Sequence, residues 1–120
     1  MNKLLVVGNV VKDPRQNESG SMLYFSVAIT RAYKNKLTNE YESDFLSFMA
    51  FSSTADYIKK HVLKGDLVSI EAKIQNGKKK EGEEYPTDCY IVERINRLKK
   101  GKGHPENVES FSDESVSFFN

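Results

Sequence analysis

The segment Ser43-Asp44-Phe45-Leu46-Ser47-Phe48-Met49-Ala50-Phe51 decides how this 120-residue chain is read. It is a short aromatic and aliphatic run bounded by polar residues, the pattern of a strand. Side chains alternate across a strand, so Leu46, Phe48 and Ala50 point one way and Phe45, Ser47, Met49 and Phe51 the other. A small barrel buries only one face of each strand in its own core. Two large rings, Phe45 and Phe51, are therefore left for some other purpose.

Similar runs lie on both sides. Upstream, Leu23, Phe25, Val27 and Ile29 alternate with Tyr24, Ser26 and Ala28, which predicts a half-buried strand over Met22 to Tyr33. Before it, Asn2 to Val11 reads as a first strand, apolar on both faces at Leu4 to Val7, with Gly8 marking a bend or a close backbone approach. Asp13-Pro14 stops that strand, and Asn17-Glu18-Ser19-Gly20 turns the chain. Downstream, Ser53 and Asp56 have the spacing of a capping box, and Ala55, Ile58 and Val62 form one apolar stripe on a short helix ended by Gly65. A fourth strand covers Leu67 to Ile74, with Val68, Ile70, Ala72 and Ile74 inward. A hairpin tip at Asn76 to Glu84 leads to a fifth strand, Tyr85 to Leu98. Three strands, a helix and two strands fit an all-β, five-stranded Greek-key barrel of the OB type, with the helix between strands three and four. A small β-sandwich and an SH3-like barrel are the alternatives.

Composition sets the outer limits. With 38% hydrophobic and 29% charged residues, the chain supports one domain, placed at 1–100, and an appendage at 101–120. Residues 1–104 carry eighteen basic against thirteen acidic side chains, a balance of +5, and residues 105–120 carry −4. A basic body is followed by an acidic tail, whose Gly, Lys, Ser and acidic residues predict a flexible segment. The longest apolar runs, such as Leu4 to Val7, fall far short of the roughly 20 residues that span a bilayer, so a cytoplasmic protein without membrane contact is expected. The single cysteine, Cys89, excludes an intrachain disulfide and a cysteine-based zinc site, and is expected to be a packed core thiol. His61 and His104 alone offer imidazole. Glu81, Glu83 and Glu84 read as a solvated hairpin edge. With no nucleophile, phosphate loop or carboxylate pair apparent, neither a cofactor, a metal nor an enzyme is expected.

What the residues do suggest is binding. Exposed rings beside cations suit single-stranded nucleic acid, because every base has a π face and cations follow the phosphates. Tyr33, flanked by Arg31 and Lys34, adds a third ring. Lys78-Lys79-Lys80 on the hairpin adds charge, although alone it reads as an ordinary solvated turn. The competing explanation for the rings is packing under a loop, against the helix or in a subunit interface.

The order of these pieces resembles the bacterial and phage single-stranded DNA-binding protein family. Asn2-Lys3-Leu4-Leu5-Val6-Val7-Gly8-Asn9-Val10 with Asp13-Pro14 is similar to the family's first strand and turn. Phe25 to Lys34 resembles its second strand, and Asp44 to Phe51, Tyr57-Ile58-Lys59-Lys60 and Lys64-Gly65-Asp66-Leu67-Val68 resemble its third strand, helix and Lys-Gly turn. Glu71-Ala72-Lys73-Ile74 matches the opening of the fourth-strand hairpin. The likeness covers about residues 1–98. It implies an OB fold, sequence-tolerant binding in replication, recombination and repair, and a homotetramer. The family's stacking positions fall on Tyr33, Phe45 and Phe51, the rings already singled out by parity and charge.

Two departures qualify the match. Gln75 to Lys80 lacks the aromatic many members carry, which leaves that hairpin to phosphate contacts. The tail reads Ser112-Asp113-Glu114-Ser115-Val116-Ser117-Phe118-Phe119-Asn120, acid plus aromatic but without a Pro-Phe end; the short linker and altered tip suit a phage or mobile-element member. The expectation is thus a non-enzymatic coat for single-stranded DNA. It stacks through Tyr33, Phe45 and Phe51 and holds phosphate through Arg31, Lys34, Lys73, Lys78, Lys79 and Lys80. A partner-binding tail is expected to work through Asp113, Glu114, Phe118 and Phe119, recruiting replication or recombination proteins. A protein-interaction module using the same face is the alternative.

Overall fold

A computed structural model describes residues 1–101. The chain runs β1 (Leu4–Val10), β2 (Arg15–Gln16), β3 (Met22–Lys34), β4 (Tyr41–Phe51), α1 (Ser52–His61), β5 (Leu67–Asn76) and β6 (Asp88–Lys99). The sheet order is β1-β5-β6-β4-β3-β2, and β1 also pairs with β3. The added pairing closes five strands into a barrel. All contacts are antiparallel except β4 with β6, which is parallel. This is the OB fold, with its helix where the sequence put it.

Closure depends on Gly8. Asn9 pairs with Ala28 and Val10 with Val27, and a β-carbon on Gly8 would lie 2.4 Å from the Ala28 carbonyl oxygen and 2.5 Å from Val27 Cγ1. The glycine of the first strand is a close backbone approach, as its setting suggested, and a side chain there would push β1 off β3.

Inside the barrel, Leu23, Phe25, Val27, Phe48, Ala50, Val68, Ile70 and Ala72 are buried together with Ala55, Ile58 and Val62 of the helical stripe. Phe48 is fully enclosed, its ring 5.7 Å from Phe25 and 6.0 Å from Tyr90, measured between centroids. The helix packs against the barrel from one side through this stripe. The parity read from Ser43 to Phe51 holds: Phe48 and Ala50 are inside, while Phe45 and Phe51 are exposed.

Several local expectations are corrected. The barrel carries an additional two-residue strand, β2, on the outer edge of β3; so short an element leaves no periodicity to detect. The Ser53–Asp56 capping box is not formed: the helix starts two residues earlier, with Phe51 as an extended N-cap that makes no side-chain capping bond. Gly65 does not end the helix either. His61 is the last helical residue, Val62 is already extended, and Gly65, at φ +90°, serves the turn before β5, where its N–H donates to the Val10 carbonyl. Ile74 is exposed because β5 runs past the enclosed part of the barrel. Cys89 is half-buried on the β5–β6 hairpin instead of packed in the core. Tyr85 lies outside β6 and is exposed.

Candidate nucleic-acid interface

The site is built on the outer face of β3 and β4. Pairing sets Met22 opposite Phe51, Tyr24 opposite Met49, Ser26 opposite Ser47 and Ala28 opposite Phe45. Phe45 is 65% exposed and Phe51 41%, on a sheet face whose reverse side is the sealed core. Between them, the Ser26 and Ser47 hydroxyls are 2.9 Å apart and bond to each other. Phe51 is held at its station by the next residue: Ser52 takes a positive φ of 53° and turns the chain directly into the helix.

Neighbouring strands extend the face. Met49 is level with Ile91 of β6, and Ile91 with Lys73 of β5; on the other side Tyr24 is level with Arg15 of β2. One row across five strands therefore reads Arg15, Tyr24, Met49, Ile91, Lys73. At about 4.8 Å per strand it is ~19 Å long, cationic at both ends and apolar in the middle, where Met49 is half-buried and Ile91 buried.

The other residues singled out from the sequence are distributed more widely. Tyr33 is 85% exposed near the far end of β3, five residues beyond Ala28, the partner of Phe45, which is roughly 16 Å along the strand. The β3–β4 register shifts between Thr30 and Lys34. Lys34 Nζ sits 5.5 Å from the centre of the Tyr41 ring, a cation–π contact. Lys78, Lys79 and Lys80 are exposed on the hairpin between β5 and β6. The Lys80 N–H donates to the Glu83 carboxylate, and Glu81, Glu83 and Glu84 balance the three lysines within the same loop. The tail positions Asp113, Glu114, Phe118 and Phe119 lie outside the described residues.

Arg31 is placed differently from the expectation. Its Nε and Nη2 donate to the two carboxylate oxygens of Asp44 at 3.1 and 2.8 Å, and its Nη1 donates to Glu42 at 2.9 Å. The Asp44 hydrogen bonds raise the guanidinium above its ordinary pKa and hold the carboxyl below its own. Asp44 has the parity opposite to Phe45, so this charge is committed to carboxylates on the reverse of the ring face. By contrast, Lys12, Arg15, Lys34 and Lys73 form no ion pair among the described residues.

Tyr24, Arg15 and Tyr41 are the surface residues that sequence reasoning passed over. Tyr24 had a usable signal, since it is opposite in parity to Leu23 and Phe25 just as Phe45 is to Leu46. Arg15 had none, because its position depends on a two-residue strand.

A closed five-stranded barrel with one helix, bearing exposed rings and cations on its β3–β4 face, defines the class: an oligomer-binding OB domain. Comparison with known proteins narrows the class. The chain belongs to the single-strand binding protein family, whose model matches residues 1–98. It is similar to the single-stranded DNA-binding protein of Staphylococcus epidermidis, 35% identical over 95 residues that cover 76% of this chain and 72% of that one. It is also similar to single-stranded DNA-binding protein 1 of Staphylococcus aureus, 31% identical over 114 residues, covering 91% and 69%. The crystal structure of a small single-stranded DNA-binding protein from Streptomyces coelicolor superposes with a TM-score of 0.58 at 22% identity, over 81% of this chain and 94% of that one, a likeness of fold. Among the described residues no helix is long and apolar enough to cross a membrane, and no group of three or more His, Cys, Asp or Glu is arranged to hold a metal ion.

Proposed function

We propose that this protein binds single-stranded DNA without regard to sequence and shields it during replication, recombination and repair in the cytoplasm, with no catalytic step of its own. Bases stack on Phe45, Phe51 and Tyr33; Lys34, Lys73 and the Lys78 to Lys80 turn hold phosphates. One observation carries the reading: two phenylalanines stand exposed on the outer face of an OB barrel, in a chain of the single-strand binding family. Exposed rings lose apolar contact with nothing gained unless a ligand covers them, and unpaired bases offer flat apolar faces of matching size. Stacking tolerates any base, which gives affinity without sequence readout.

The test is competition between labelled dT oligonucleotide and duplex of equal length, read by anisotropy and by quenching of the six tyrosines, in a chain free of tryptophan. Unpaired strand is expected to win, with log K falling against log salt at roughly −0.7 per phosphate neutralised. Preference for duplex, or unchanged tyrosine emission on binding, refutes the proposal.

A homotetramer is the proposed assembly. Leu5 and Val7, 70% and 53% exposed on the outer side of β1, are apolar surface that self-association can cover. Leu5→Asp is expected to reduce the mass measured by light scattering; an unaltered mass argues that Leu5 takes no part. The acidic segment 105–120 is proposed to recruit replication or recombination proteins through Asp113, Glu114, Phe118 and Phe119, by charge and aromatic contact.

A further inference from the structure

We propose that the DNA path does not stop at Phe45, Phe51 and Tyr33 but continues to the β2 edge, where Tyr24 stacks a further base and Arg15 and Lys12 hold its phosphates. This inference rests on the single-strand reading and adds a site to it.

Three observations converge there. First, Tyr24 is 42% exposed on the same outer face as Phe45 and Phe51. Phe51 faces Met22, so Tyr24 is its diagonal neighbour at about 7–8 Å, within reach of aromatic side chains. On two adjacent strands, Tyr24 thus lies between the levels of the two phenylalanines, diagonal to Phe51 and lining a common hollow with Phe45. Second, a hollow of about 320 Å³ is lined by Tyr24, Ser26 and Phe45 together with Lys12 and Arg15. That volume is at the lower end of the range for small-ligand sites. Third, the two lining cations are available. Lys12 and Arg15 make no ion pair or side-chain hydrogen bond among the described residues, whereas Arg31 is bound on three sides by Asp44 and Glu42. Asp13, which also lines the hollow, accepts the Lys64 N–H.

β2 accounts for the geometry. Two residue pairs, Arg15 with Tyr24 and Gln16 with Leu23, fasten it to β3, and Lys59 of the helix donates to the Gln16 side-chain oxygen at 3.1 Å. The strand is too short to add to the core, yet it sets a guanidinium beside a ring. A π face, a hollow and two cations unpaired among the described residues together recognise a planar base attached to a phosphate. Because Phe45 lines both this hollow and the central face, the site is continuous with the proposed path.

The experiment compares Tyr24→Leu, Tyr24→Phe, Arg15→Gln, Phe45→Ala and Phe51→Ala in the full chain with dT oligonucleotide. It is joined to photocross-linking with 5-iodouracil-substituted strand. Tyr24→Leu is expected to weaken binding about 5- to 150-fold, the effect of removing one stacked base. Tyr24→Phe is expected to stay within about twofold, since the ring persists. Arg15→Gln should flatten the salt slope by about 0.7, and the iodinated strand should cross-link to Tyr24. Parent affinity and slope in the Tyr24 and Arg15 variants, with losses at Phe45 and Phe51, overturn this site and leave the wider reading standing. No loss in any variant defeats the wider reading. If Tyr24→Leu does not fold, the Arg15 slope and the cross-link decide, and an unchanged slope without a Tyr24 cross-link overturns the site. Equal losses for Phe and Leu at position 24 rule out stacking. Protection of the hollow by an acidic peptide but not by dT would assign it to a protein partner and overturn the proposal too.

Discussion

Replacing Phe45 by alanine separates binding from folding, and the structure gives both magnitudes. Full burial of a phenylalanine side chain stabilises a fold by about 1.5–3 kcal/mol. Phe45 keeps 65% of its surface exposed, so truncation withdraws only about a third of that, roughly 0.5–1 kcal/mol. A stacked base contributes about 1–3 kcal/mol, and losing it raises Kd some 5- to 150-fold. Phe48→Ala makes the opposite control. That ring is wholly enclosed and packed on Phe25 and Tyr90, and its removal costs about 3–5 kcal/mol of stability while leaving the outer face in place. The assay is anisotropy of a labelled dT oligonucleotide at fixed salt, with the folded fraction taken from urea unfolding in the same buffer. Phe45→Ala should fold almost as well as the parent and bind much more weakly; Phe48→Ala should lose stability but keep its affinity per folded molecule. Parent affinity in Phe45→Ala, or a stability loss matching that of Phe48→Ala, would refute the assignment of this ring to the ligand.

Three further outcomes rest on particular contacts. Gly8→Ala should destabilise the barrel by about 1–3 kcal/mol in urea unfolding, since its β-carbon meets the Ala28 carbonyl oxygen at 2.4 Å; the roughly 0.4–1 kcal/mol gained through the unfolded chain does not offset this, and a more stable variant would show that β1 and β3 stand further apart. Lys73→Gln should flatten the plot of log K against log salt by about 0.7, while Arg31→Gln, whose charge already serves Asp44 and Glu42, should leave the slope alone; the reverse ranking would show that Arg31 exchanges carboxylate for phosphate. Asp44 is held below its ordinary 3.8 chiefly by hydrogen bonds from Arg31, so its stabilising contribution is present above the unfolded pKa and disappears as pH falls through the lower folded value. The stability gap between the parent and Asp44→Asn should therefore be flat near neutrality and close below about pH 4, and a gap that closes on the alkaline side instead would contradict the pairing.

The strands were legible because one rule, alternation over a single sealed core, governs them. Phe48 and Ala50 had to be inside if Phe45 and Phe51 were outside, and tertiary packing had no freedom to alter that. Features that depend on a second element were not legible. Ser53 and Asp56 have capping spacing, but the barrel exit at Phe51 and the positive φ of Ser52 start the helix two residues too early for it. Ile74 continues the alternation of Val68, Ile70 and Ala72, yet β5 outruns the core there, so pattern alone places it inside when it is exposed. Arg31 was grouped with Tyr33 by nearness in sequence, whereas its position is set across the sheet by Asp44 on β4.

The commitment of Arg31 changes where attraction for phosphate arises. At the hairpin tip, three lysines share the loop with three glutamates, so the field it projects cancels beyond roughly a Debye length of 8–10 Å, and the lysines act only on a phosphate already in contact. Around the phenylalanines the situation differs. Lys73 lies at one end of the row through Met49 and Arg15 at the other, and neither is paired among the described residues. A strand crossing the rings therefore meets unneutralised charge at the β5 and β2 edges of the sheet, and the sequence-independent part of the affinity depends on those edges more than on the conspicuous lysine run. Salt dependence should accordingly follow substitutions at Lys73 and Arg15 residue by residue, with single changes among Lys78, Lys79 and Lys80 giving smaller effects.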